Sequence, residues 1–214
     1  MAILFLWAAL TLLGKPARAE PAPPTTFTLR VSMVAGARAA GGASSSDASA
    51  LEGEDAAVST EGWLGEQLAN AAALYLPFGV AFAKTDGPRL DASLAHVETR
   101  ADRDAFAART AAHAIDVFVV ASLRDVDDPA EMRRGVHWHA GALHYILLVG
   151  TAPPTVLAHE LGHYFGNPHS PVADDVMSYV RTGGPVFFDA AQGRRIGERA
   201  RAYVASRELL PLGP

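Results

Sequence analysis

The chain contains no cysteine. That excludes disulfides, thiolate metal sites, iron–sulfur clusters, a catalytic thiol and a lipidated N-terminal cysteine. It also lacks a basic tract. With 18 Lys and Arg against 23 Asp and Glu, and a formal net charge of −5, it has no electrostatic footprint for nucleic acid. Nor is there an apolar run long enough to span a bilayer: the longest, Ala2–Gly14, falls short of the roughly 20 residues required. What the chain does have is bulk for a core. Half of its 214 residues are hydrophobic and 19% are charged, which rules out a disordered or fibrous protein and fits one domain of ordinary size.

The Ala2–Gly14 run leads into Lys15, Pro16 and Ala17-Arg18-Ala19, an A-x-A pattern before Glu20. Residues 1–19 are therefore expected to be a signal peptide, with an uncleaved anchor as the alternative. Residues 20–214 are then a single exported domain, extracellular or periplasmic, free of the membrane once cleaved and monomeric. Without cysteines, such a fold depends on its core and on any metal it binds.

Phe27–Val34 alternates as a first strand does. Residues 36–60 are rich in Gly, Ala and Ser and read as a flexible loop. Trp63, Leu64, Leu68, Ala71, Ala72 and Tyr75 fall at helical spacing, which predicts a helix over 61–76 that Pro77 stops. Further strands are expected at 78–83, 115–121 and 143–149, and helices at 102–114, 155–165 and from Phe188 onward, the last capped by Asp189. The order implies a mixed, mainly parallel sheet with helices packed on it.

Chemistry concentrates in residues 159–169, His-Glu-Leu-Gly-His-Tyr-Phe-Gly-Asn-Pro-His. Four helical residues advance about 400°, so His159 and His163 lie one turn apart on the same side, and both imidazoles can reach one ion. Glu160 sits about 100° round, outside the ligand set but near a water on the metal. Gly166 can adopt a left-handed conformation, end the helix and turn the chain back, so that His169 supplies a third ligand. Three neutral imidazoles with one open position suit a catalytic Zn²⁺ rather than a closed structural site. For this composition, H-E-x-x-H alone is expected by chance roughly 0.014 times per chain.

This pattern resembles the metzincin zinc endopeptidases, whose signature H-E-x-x-H-x-x-G-x-x-H precedes a methionine turn. All five signature residues are present, and Met177 follows in Asp175-Val176-Met177-Ser178-Tyr179. The resemblance implies a zincin-like α+β catalytic domain with Met177 as an apolar floor under the metal. Tyr179 is similar to the tyrosine of astacin-, serralysin- and pappalysin-type members. There it can be a fifth ligand that swings away to hydrogen-bond the reacting carbonyl; the alternative is a tyrosine packed nearby. The Phe188–Ile196 stretch resembles the start of the pappalysin-type C-terminal helix, but the pappalysin-type cysteines are absent, so the likeness is to the clan. It implies a secreted endopeptidase acting on protein or peptide substrates, with Glu160 as general base. The alternative is an exported zinc-binding interaction module without proteolytic activity.

Other polar residues are more ambiguous. His137 and His139 share a strand face and could form a second metal site, but no third ligand is placed by sequence, and an ordinary half-exposed strand or rim contact is the expected reading. His144 is expected on the 143–149 strand, whose free edge would border the cleft and pair with substrate; a satisfied sheet histidine is the expected reading, a substrate contact the alternative. His96 and His113 carry no expected role. The acidic run Asp125–Asp128 could bind a structural Ca²⁺, or simply be a solvated loop. Asp174 or Asp175 could orient a ligand histidine, or form a turn.

Overall fold

The computed structural model describes residues 22–35 and 54–213, with side chains from residue 61 in the second stretch. The expected signal peptide and residues 36–53 of the expected loop lie outside these. Within the described residues no helix is long and apolar enough to cross a membrane.

A five-stranded sheet forms the frame. In chain order its strands are β1 (Thr25–Met33), β2 (Val80–Asp86), β4 (Ile115–Val120), β6 (Gly135–Ala140) and β7 (Leu143–Val149). Across the sheet they run β2-β1-β4-β7-β6. The first three pairings are parallel and only β6–β7 is antiparallel. Two short strands, β3 (His96–Val97) and β5 (Ser122–Leu123), pair separately. Strand β4 is buried throughout, as its nearly continuous apolar sequence requires of a strand covered on both faces.

Alternation along the strands sorts the core into two layers. Ile115, Val117, Val119, Ile146 and Leu148 face a cluster containing Phe27, Tyr75, Leu157, Leu161, Phe165 and Met177. Phe118, Val120, Tyr145 and Leu147 face a smaller cluster with Phe106 and Leu123. The first layer is covered by three helices: α1 (Glu54–Tyr75), α3 (Val156–Tyr164) and α4 (Ala190–Ser206). The short α2 (Arg100–Asp104) lies beside β6.

Several expectations change in register. Helix α1 begins at Glu54, so residues 54–60 are helical rather than loop. The 102–114 helix is only α2 and a single 3₁₀ turn at Ala107–Arg109. Thr99 and Asp102 close a capping box that begins it early, and His113 takes a positive φ of 65° that no helix admits. Asp189 caps α4 as expected, in a reciprocal capping box with Gln192.

The largest correction concerns the sheet edge. Strand β7 lies inside the sheet between β4 and β6, and Tyr145–Leu148 are wholly buried. The free edge belongs to β6. The reversal needs only Gly141 and Ala142 between the strands, with Gly141 at φ 63°, a two-residue turn of the kind that matches strand twist.

Candidate metal centre

Helix α3 presents the site, and its position is fixed from behind. Gln67 of α1 accepts the Leu157 N–H at 3.0 Å and donates to the carbonyls of Ala152 (3.0 Å) and Pro153 (2.8 Å). Trp63 Nε1 donates to the Ala152 carbonyl at 2.8 Å, and the Tyr75 hydroxyl to the Ala158 carbonyl at 3.0 Å. One orphan N–H of the first turn is thereby satisfied by a side chain from another helix.

The helix ends as the glycine predicts. Gly166 has φ 84°; its N–H bonds to the His163 carbonyl at 2.9 Å, and the Asn167 N–H to the Gly162 carbonyl at 2.8 Å. This is a Schellman motif, and it turns the chain so that His169 faces the helix it has left.

The imidazoles of His159, His163 and His169 converge. His163 Nε2 lies 3.2 Å from His159 Nε2 and 3.0 Å from His169 Nε2. The tautomers follow from the opposite nitrogens. His159 Nδ1 lies 2.7 Å from the Val176 carbonyl oxygen and His163 Nδ1 2.8 Å from that of Asn167. A carbonyl only accepts, so each Nδ1 carries the hydrogen and each Nε2 of a neutral ring is a bare lone pair. Two lone pairs facing each other at 3.2 Å repel unless a cation lies between them. Tetrahedral ligands at about 2.0–2.1 Å from an ion would be about 3.3 Å apart, close to the spacing found. Burial lowers the pKa of all three rings, that of His163 to about 4, so they are neutral, as ligands must be. The three can hold a metal ion.

Glu160 is 5% exposed. Its Oε2 accepts the backbone N–H of His137 on β6 at 2.8 Å. A β-carbon on Gly135 would stand 2.8 Å from Glu160 Cγ and 2.9 Å from Oε1, so the glycine makes room for the carboxyl. Burial pushes the Glu160 pKa up to about 8, with the His137 N–H opposing. His159, Glu160, His163, His169 and Tyr179 line one cleft of about 500 Å³, with β6 as a wall. An adjoining cavity of about 580 Å³ is lined by Met132, Arg134, Val156, Arg181 and Val186 beside Glu160.

Met177 is fully buried directly against Gly162 of α3. Asp175 Oδ1 fixes its turn, accepting the Met177 N–H at 2.7 Å and Gln192 Nε2 of α4 at 3.1 Å. Asp174 binds the Thr182 N–H and hydroxyl. Both aspartates thus serve turns, and backbone carbonyls orient His159 and His163. Tyr179 is exposed, with its hydroxyl 2.8 Å from His169 Nε2 and 3.4 Å from Arg133 Nη1.

The other expected candidates stand outside the first triad. Asp125 accepts the Asp127 and Asp128 N–H groups and the Arg133 guanidinium. The acidic run is therefore tied to its own loop, and among the described residues the groups that could hold an ion are two histidine triads. His96 bonds Ser122, and His113 the Arg207 carbonyl. The positioning roles of Gln67, Gly135 and His137 did not emerge from sequence. Gln67 leaves a trace there: a polar residue one turn after Trp63 within an apolar stripe. No protein-family model and no curated protein matches the chain.

Proposed function

We propose that the protein is an exported, zinc-dependent endopeptidase of metzincin type. The observation that carries this reading is the convergence of three imidazole Nε2 atoms beside a buried carboxyl in an open cleft. The sheet supports it: the single antiparallel strand, β6, is an edge and a cleft wall. That edge offers an extended peptide backbone partners by strand addition.

His159, His163 and His169 would hold Zn²⁺, which when bound supplies Lewis-acid polarisation and makes water more acidic. Glu160 takes a proton from the attacking water and hands it to the departing amine. Its Oε2 is pinned by His137, which leaves Oε1 for the proton. Tyr179 donates a hydrogen bond to the oxyanion of the tetrahedral intermediate. A module that only held metal would have no use for a carboxyl desolvated at this position.

Incubation of the purified protein with casein and a quenched-peptide library tests the reading. Chelator-sensitive cleavage is expected, and Glu160→Gln should keep the metal while losing about 10²–10⁴-fold in rate. Full activity in that variant would remove Glu160 as base; metal without any cleavage would leave the interaction-module reading.

A further inference from the structure

The β6–β7 hairpin assembles a second histidine cluster. His137 and His139 are two residues apart and project from one face of β6. The antiparallel register sets His144 opposite His139, so its side chain shares that face. The ring centroids of His137 and His139 are 4.6 Å apart, those of His137 and His144 5.1 Å, and those of His139 and His144 5.2 Å with planes at 12°. One nitrogen from each ring lies within 4.8 Å of the other two. His144 stacks on the buried Tyr164 ring at 4.1 Å, which gives the cluster a rigid back.

The hydrogen bonds give it polarity. His144 Nε2 lies 2.5 Å from Glu208 Oε1. A carboxylate accepts, so Nε2 carries the hydrogen and Nδ1 is the lone pair. That Nδ1 faces His137 Nε2 at 2.8 Å. A carboxylate–imidazole pair whose free nitrogen points into a cluster of imidazoles is how outer partners orient metal-bound histidines. His137 lines the same cleft as the first triad and is half-buried, while His139 is exposed, so an ion can enter from solvent.

We propose that His137, His139 and His144 form a second site for an imidazole-preferring divalent cation such as Zn²⁺, Cu²⁺ or Ni²⁺, with Glu208 orienting His144. The three neutral nitrogens match what these ions accept, and hard cations such as Ca²⁺ or Mg²⁺ are disfavoured because no oxygen donor enters the set. A cation takes the place of the hydrogen now shared between His137 and His144, with His137 moving its proton to Nδ1. The site clamps the hairpin whose residue 137 holds Glu160 through its N–H. It does not rest on the peptidase reading.

Equilibrium dialysis of the full chain against Zn²⁺, followed by elemental analysis, reads the site directly. Wild-type protein should bind two ions. His139→Ala, at an exposed position, should bind one, and so should His163→Ala/His169→Ala, which removes the first triad. The triple variant should bind none. Glu208→Gln should weaken the second site about 10–100-fold. One ion in both wild type and His139→Ala, or two ions in both, overturns the proposal. If His163→Ala/His169→Ala denatures, Co²⁺ titration of His139→Ala and His144→Gln against wild type decides. Each variant should lose one equivalent of visible absorption, and an unchanged endpoint overturns the site. Retention of one ion by His163→Ala/His169→Ala, lost on adding His139→Ala, upholds the second site even where peptide hydrolysis is never found.

Discussion

Met177 Sδ occupies the space that a β-carbon on Gly162 would need: such a carbon would stand 2.2 Å from the sulfur. The unspecified third residue between the two helical histidines is therefore constrained, because only a glycine lets the methionine turn reach the underside of α3. Gly162→Ala gains up to about 1 kcal/mol of helix propensity but overpacks a filled core at a cost of about 1–3 kcal/mol. Net destabilisation is expected in urea unfolding, together with weaker metal retention as Met177 and the Val176 carbonyl that orients His159 are displaced. Gly162→Ala/Met177→Ala should recover part of the loss; strictly additive destabilisation would show that the two residues do not press on each other.

The Tyr179 hydroxyl is within 2.8 Å of His169 Nε2 on the open side of the cleft. If it acts on the oxyanion, Tyr179→Phe lowers kcat by about 10²–10³-fold, with metal content unchanged by elemental analysis. Unaltered kinetics would reduce the residue to packing.

Gln67 ties α1 to the start of α3 through three hydrogen bonds. Gln67→Leu keeps the volume but strands the Leu157 N–H, while Trp63 still serves the Ala152 carbonyl and the Val156 N–H still serves that of Pro153. Buried groups left without partners cost about 1–3 kcal/mol each. Destabilisation of about 1–3 kcal/mol is therefore expected from chemical unfolding, and a wild-type midpoint would sink the capping role.

These relationships separate what could be read in the sequence from what could not. The first triad was legible because its geometry is local: a helical i, i+4 pair, a glycine stop and a short return lie within eleven residues. Strand β4 was legible because burial on both faces leaves a nearly continuous apolar run, broken only by Asp116. Strand β6 was obscure because an edge strand carries mixed polar and aromatic residues, and its pairing depends on the turn at Gly141-Ala142. That turn also sets His144 opposite His139, and a reading of the two-residue reversal would have supplied the third member of the second triad. Gln67 and Leu157 meet across 90 residues, and no local pattern encodes such a contact. Of the two roles open to Asp174 and Asp175 the turn is the one found, because backbone carbonyls orient His159 and His163, and carbonyls leave no mark in a sequence.

Protein stripped of metal by chelator should show a stability maximum near pH 6.5. Glu160 titrates near its ordinary 4.5 in the unfolded chain and near 8 when folded. Between those values the folded state holds a proton that the unfolded state has released, so stability falls as pH rises. The whole effect is on the order of 5 kcal/mol at about 1.4 kcal/mol per pH unit. The histidines act in the opposite sense. Burial lowers His163 to about 4 and His137 to about 2, from an ordinary 6.5. Below pH 6.5 the unfolded chain binds protons that the folded chain refuses, and stability rises with pH. From pH 4.5 to 6.5 these two histidines outweigh one carboxyl; above 6.5 the carboxyl acts alone. The expected decline from pH 6.5 to 8 is about 2 kcal/mol, measured by urea unfolding in chelator. Glu160→Gln should abolish that decline and leave the acid limb intact. Parallel curves for the two proteins above pH 6.5 would mean that the carboxyl is already ionised in the folded chain.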